Sequence, residues 1–321
     1  MAEYQRLASS LFVVIAASVV AAANAQEFPN KPLRIIVAES PGTTTDIVAR
    51  IMAPEMSRLL GQPIVIEQKL GAGSIIGLEY VARQVPPDGY TAISASVTSL
   101  ALLPLTVKEL RFDPLKDLPP YIGLAEGRLV FGTSPKLSWK TFNELVASAK
   151  ATPGKLNYGA SSPQVRFPML MLLQDLGLDV VSIPYSAGGP YLQALLAGEV
   201  HMGFMGEAAA IGFGDKLRML AITGEKRSAA VPDIPTFAQL GYPQVPGVGY
   251  SFNVPARTPK AVIDRLNAAA SRALGDPDVK ARMAKLQLDI LDETSETAAR
   301  KLAAIGRNYA DIARKMGIQP Q

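Results

Sequence analysis

The stretch Ser40-Pro41-Gly42-Thr43-Thr44-Thr45-Asp46 carries the residue types best placed for chemistry in this chain, and that chemistry is the holding of an anion. It follows the apolar run 33–38, which reads as a buried strand. It precedes Ile47, Val48, Ile51, Met52, Leu59 and Leu60 at helical spacing. A strand, a Pro-Gly turn, a run of hydroxyls and a helix start present backbone N–H groups at the positive end of a helix dipole. Thr43-x-x-Asp46 also fits a capping box, with the threonine hydroxyl on one N–H and the carboxylate on another. On that reading Asp46 serves the helix rather than a ligand. One cap needs one hydroxyl, and the run supplies three.

Two more strand-to-helix turns have similar chemistry. Ser161-Ser162-Pro163-Gln164-Val165-Arg166 is rich in hydroxyls, and Arg166 would either pair bidentately with a carboxylate or stand solvated in a first helical turn. Tyr185-Ser186-Ala187-Gly188-Gly189 offers a phenolic donor beside a Gly-rich turn, although turn residues chosen for backbone geometry alone would look the same. Ser96, just past the strand-like run 90–94, joins the candidate set. Gly71-Ala72-Gly73-Ser74-Ile75-Ile76-Gly77 has GxGxxxG rather than GxGxxG spacing, and no acidic residue follows in the expected context. It reads as a tight turn into a helix.

Catalytic residues are scarce. His201 is the one histidine, in a strand-like pattern between Val200 and Met202, and no GxSxG elbow exists. A structural or surface role is expected of it rather than that of a general base. With no cysteine and a single histidine, thiolate metal sites, a cysteine nucleophile, disulfides and a histidine-based zinc site are all excluded.

The elements that must position these turns alternate. The runs 33–38, 63–67 and 90–94 are strand-like, and 44–60 and 74–84 have helical periodicity. That alternation predicts βαβ units, a largely parallel sheet, and strand-end loops gathered on one edge. After the Pro-rich connection 112–120, a second unit is read from strands at 129–133, 157–159, 180–184, 200–204 and 217–223. Helices over 139–150, 167–176 and up to Ala197 alternate with them. A Pro/Gly-dense stretch, 231–249, precedes a strand over 250–254, and helices over 259–274 and 294–316 end the chain.

Residues 1–25 read as a signal peptide. Arg6 begins it, Leu7 to Ala23 is apolar, and Ala23-Asn24-Ala25 is an A-x-A cleavage signal. Cleavage after Ala25 would leave about 296 residues, more than one compact core usually takes, so two lobes are expected. Residues 26–125 with 249–321 form a discontinuous first lobe in this reading, and 126–248 a second. The net charge of +4 is spread along the chain, which suits capture of small anions better than nucleic acid. An exported chain without disulfides points to the periplasm.

Further segments extend this pattern. Phe28-Pro29-x-Lys31-Pro32-Leu33-Arg34, Ser40-Pro41-Gly42-x-x-x-Asp46, Leu60-Gly61-Gln62-Pro63, Pro87-Asp88-Gly89-Tyr90-Thr91 and Pro153-Gly154-Lys155-Leu156-x-Tyr158-Gly159 occur in order. With Pro184-Tyr185, Lys216-Leu217-Arg218, Pro232-Asp233-x-Pro235-Thr236 and Met316-Gly317-Ile318, they resemble the Bug family, the solute-binding receptors of tripartite tricarboxylate transporters. The resemblance runs through the whole chain after the signal segment.

It implies a periplasmic binding protein of two α/β lobes, joined by crossover strands and closing on its ligand like a flytrap. It also implies a small organic carboxylate (a di- or tricarboxylate, or an aromatic acid) held against Ser40–Thr44 and faced by the turns at 160–164 and 185–189. The implied partners are transporter membrane subunits; a sensor kinase served by a co-receptor is the alternative. No enzyme activity, cofactor or metal follows, and a monomer is expected. Departures from the pattern fall in this cleft. Thr43 stands where a second glycine is usual, Ser186 replaces a lysine, and Phe204-Met205 replaces Phe-Asp with Glu207 nearby. Loss of the lysine and gain of Met205 point to a ligand with apolar or aromatic bulk.

Overall fold

A computed structural model describes residues 28–185, 188–315, 317 and 320. The expected signal peptide, its cleavage site at Ala25, and the candidate residues Ser186 and Ala187 lie outside the described residues. The strands are β1 (Leu33–Val37), β2 (Ile64–Gln68), β3 (Thr91–Ser96), β4 (Pro120–Gly127), β5 (Leu129–Thr133), β6 (Asn157–Ala160), β7 (Val181–Pro184), β8 (Gly203–Gly206), β9 (Arg218–Ile222), β10 (Val248–Asn253) and β11 (Leu288–Glu293).

A six-stranded sheet has the order β11-β4-β10-β3-β1-β2. β1 is apolar except at Arg34, because both of its faces are covered along most of its length. Leu33, Ile35 and Val37 pack on one side, with the helix Thr44–Leu60 and the helix Lys260–Leu274, while Ile36 packs on the other. Val48, Met52 and Met56 of the Thr44–Leu60 helix are fully buried; each such side chain contributes about 1.5–3 kcal/mol relative to exposure. The helix stops at Gly61, which takes the left-handed conformation that a glycine adopts without steric cost.

The expected largely parallel sheet is corrected. Only β1–β2 and β1–β3 are parallel pairs in it; β10 pairs antiparallel with β3 and β4, and β11 antiparallel with β4. The antiparallel strands belong to segments that cross between the sheets or return late in the chain, so they run against the βαβ direction. β4 beyond Pro120, β11 and the helix Pro277–Lys285 fall in stretches to which the sequence pattern assigns no element.

β4 and β5 are separated by Arg128 alone. β5 then pairs antiparallel with β8 and β9, and β6 pairs parallel with β7. A parallel bridge between Tyr158 and Met202 places β6 beside the chain entering β8, so β6, β7 and β8 point the same way. The second crossover runs through Gly247 into β10, with the Gly247 N–H donating to Glu126 Oε1 at 2.7 Å. The chain is thus a two-lobed α/β protein with crossover strands. The core continues from one sheet to the other: Phe167, on the helix Pro163–Leu176, has its ring 5.2 Å from that of Tyr309 on the helix Ser295–Lys315.

Candidate functional site

The ends of β1 and β3 carry the first half of the site. Gly42 has φ +84, a conformation that disfavours L side chains, so the Pro-Gly turn depends on it. Thr43, where a second glycine is usual, has φ −69 and ψ 160. Any residue adopts that extended backbone, so the substitution leaves the turn intact.

The capping box does not form as expected. Thr43 Oγ1 donates to Ser40 O at 2.9 Å, no side chain caps the helix, and Asp46 Oδ2 accepts from the Gly42 N–H at 3.0 Å. Asp46 is buried and also accepts from Arg50 Nε at 2.9 Å and from Gln68 Nε2 at 3.3 Å. Burial opposes its ionisation, but Arg50, the Gly42 amide and Gln68 together hold its carboxyl below the usual range. Asp46 therefore organises the loop from behind. The first intrahelical bond is Ile47 N to Thr43 O at 2.9 Å, so the amides of Thr44, Thr45 and Asp46 precede the helical ladder. Ser40, Pro41 and Gly42 are exposed, and Thr43 and Thr44 are half-buried.

Ser96 is buried and its hydroxyl accepts from Ser99 N at 3.3 Å, capping the helix Val97–Thr106. Ser94 Oγ donates to Thr45 O at 2.9 Å, which ties the end of β3 to the start of the Thr44–Leu60 helix. The second lobe meets this corner directly: Gln164 Nε2 donates to Ser99 Oγ at 3.2 Å.

The helix Pro163–Leu176 has Ser162 at its N-cap with no side-chain cap bond, the same condition as the helix at Thr44. Proline has no N–H, so Gln164 supplies the first free amide. Ser161 lies beside Gly188, where a Cβ would stand 3.9 Å from its hydroxyl, and Tyr185 N donates to Ala160 O at 3.0 Å. Ser161, Tyr185 and Gly188 thus gather at the ends of β6 and β7. Arg166 is exposed and forms no ion pair with a described residue.

Glu207 begins the segment after β8. It is 2 % exposed, and its own N–H donates to Arg128 O at 3.1 Å. It lines a cavity of about 160 Å³ together with Thr44, Arg128, Gly206, Tyr250 and Gln287. Tyr250 on β10 is raised by burial, a rise moderated by its hydrogen bond with Thr44 and added to by the charge of Glu39. Glu39 in turn accepts from Thr45 Oγ1 at 2.8 Å.

Ser99, Tyr250, Arg128 and Glu39 were missed as site residues. Arg128 has a local signal, since it and Glu126 are the charges between two apolar runs. Met205 is buried in the core of the small-sheet lobe and gives the cleft no apolar wall, which removes half of the argument for a bulky apolar ligand.

His201 has the structural role expected of it. Its Nδ1 accepts from Asn157 N at 3.0 Å and its N–H donates to Asn157 Oδ1 at 2.8 Å. Among the described residues no three metal-ligating side chains cluster, and no helix is long and apolar enough to cross a membrane.

Residues 48–318 match the model of the tripartite tricarboxylate transporter family receptor. Protein BugT of Bordetella pertussis is 33% identical over 276 residues, covering 84% of each chain. The structure of the periplasmic binding protein BugD superposes with a TM-score of 0.68 at 26% identity, over 92% of this chain and 100% of that one. MatC from Rhodopseudomonas palustris, with bound malate, gives 0.68 at 29% identity over 89% and 100%.

Proposed function

The chain belongs to the tripartite tricarboxylate transporter receptor family, and on that premise we propose that it is an exported, periplasmic receptor that captures a small organic carboxylate between its lobes and hands it to the membrane subunits of such a transporter. The observation that carries this reading is a shared defect in capping. The two long helices that begin at the cleft, Thr44–Leu60 and Pro163–Leu176, both lack a side-chain cap. The amides of Thr44, Thr45 and Asp46 in the first, and of Gln164 in the second, are therefore left to hold an anion at the positive end of each dipole.

One carboxylate rests against Gly42–Thr44 in this reading, with Ser96 and Ser99 beside it. Ser161, Ser162, Gln164, Tyr185 and Gly188 close from the other lobe. Arg166 and Asp46 stay outside the contact set, the first in solvent and the second behind the loop. Lobe boundaries at Arg128 and Gly247 make the two crossovers the hinge, and closure presents the liganded surface to the transporter. Malate bound in MatC supports the carboxylate class, and binding involves no covalent step.

Isothermal titration of the mature protein with malate, succinate, adipate and a neutral sugar tests the reading. Micromolar or tighter binding of at least one acid, with none of the sugar, is the expected result. Tight binding of the sugar and none of the acids would sink it.

A further inference from the structure

The cleft contains one group that carboxylate capture does not explain. Both Glu207 carboxylate oxygens are fully buried, and among the described residues none donates a hydrogen bond to either. The nearest cation, Arg128 Nη1, stands 3.8 Å away, beyond hydrogen-bond length. That guanidinium is already shared: its Nη2 contacts Asp289 Oδ2 at 2.5 Å. One positive charge therefore faces two carboxylates. A buried carboxylate without donors is costly, and a side chain that retains this cost calls for a partner.

Thr44, the first residue of an uncapped helix, lines the same cavity as Glu207. The start of an uncapped helix and a donor-poor carboxylate then address one space, which Tyr250 also lines. Glu39, close enough to act on Tyr250, adds a second negative charge to this region. A carboxylate alone would satisfy the helix start and leave Glu207 unmet. An ammonium alone would do the reverse. A zwitterion satisfies both, and a charged N–H donor is the strongest match for a desolvated carboxylate.

Resting on the receptor reading above, we propose that Glu207 is a specificity-determining residue that takes a protonated amine, so that the ligand is an amino-substituted organic acid rather than a plain diacid.

The test uses matched pairs on the mature protein near neutral pH: aspartate against succinate and glutamate against glutarate, with malate as the neutral-donor control, by isothermal titration. The amino member of at least one pair is expected to bind about tenfold or more tighter, the size of one charge-assisted hydrogen bond. Malate should bind more weakly than aspartate. In Glu207→Gln, checked for folding by thermal unfolding, the amino-to-plain ratio should shrink to within about twofold.

Plain diacids that bind as well as or better than their amino partners in the wild type overturn the proposal and leave the receptor reading standing. Malate equal to aspartate also overturns it, since charge would then not be what is read. Failure of every acid overturns the receptor reading and this proposal with it. The wild-type ratios decide the matter even if the variant does not fold.

Discussion

Gln164 and Ser99 join the two lobes by a side-chain hydrogen bond of 3.2 Å, between the first turns of two helices that belong to different sheets. Both residues are half-buried, so the bond is partly shielded from water and forms only when the lobes meet. Gln164→Ala removes it without leaving a charge behind. A neutral hydrogen bond is worth about 0.5–1.5 kcal/mol, so ligand affinity should fall by about two- to tenfold. Small-angle scattering of the unliganded variant should show a larger radius of gyration than the wild type. Unchanged affinity and unchanged dimensions would mean that the contact does not hold the lobes together.

Asp46 ties the Pro41-Gly42 turn to its helix through the Gly42 amide, Arg50 and Gln68. Its carboxyl sits below the usual range despite burial. A depressed folded value means that its stabilisation is complete above the unfolded value, near pH 4, and is lost as pH falls through the folded one. Acidification below about pH 4 should therefore lower the melting temperature and loosen the loop. Asp46→Asn should melt lower than the wild type at neutral pH and show a shallower loss on acidification. A pH profile identical to that of the wild type would remove Asp46 from this account.

What the sequence made legible here was local. The run before Ser40, the helix periodicity after it and the hydroxyl-rich turn at 161 span no more than the 17 residues of the Thr44–Leu60 helix each, and they form where the pattern puts them. β4 was hidden because its first residue is Pro120 and its centre is Gly123, residue types that punctuate loops more often than strands. The structure shows why they are tolerated. Pro120 opens the strand, and a Cβ at Gly123 would press on the Glu293 side chain. β11 was hidden by Asp289, Asp292 and Glu293, whose charges suggest solvent; Arg128 and Lys301 instead pair with the first and last of them. Ser99, Tyr250 and Arg128 were invisible as site residues for another reason. Their partners lie 65 positions away for Ser99 and Gln164, 161 for Arg128 and Asp289, and further still for Tyr250 and Thr44, and no spacing rule reaches that far.

Tyr191 fits under β6 and β8 only because Gly159 and Gly203 have no side chains. A Cβ at Gly159 would stand 2.6 Å from the ring, and one at Gly203 would overlap the Tyr191 hydroxyl, which donates to Phe204 O at 2.9 Å. Gly203→Ala should cost about 1–3 kcal/mol through overpacking. Adding Tyr191→Phe removes the clashing oxygen, so the double variant should be more stable than the sum of its two single losses predicts. Denaturant unfolding of all four proteins reads this directly; simple additivity would contradict the packing described.

His201 gives a separate pH signature. Its Nδ1 accepts the Asn157 N–H at 3.0 Å, so the neutral ring carries its proton on Nε2. Protonation would set an N–H donor against an N–H donor in a half-buried site, with the Trp139 ring edge-on at 6.0 Å. Burial correspondingly holds the imidazole below its ordinary value. The unfolded chain then binds a proton that the folded one refuses, so stability rises with pH in this window. It is complete above about pH 6.5 and falls as pH drops from there through the lower folded value. His201→Asn keeps an acceptor oxygen for Asn157 and cannot titrate. Its melting temperature should lie below that of the wild type near pH 7.5 for lost ring packing, yet change less between about pH 7 and pH 5. Carboxylate affinity should be the same in both proteins, since His201 touches Asn157, Thr133 and Trp139 and none of the cleft residues. A loss of ligand binding in this variant would instead bring the histidine into the site.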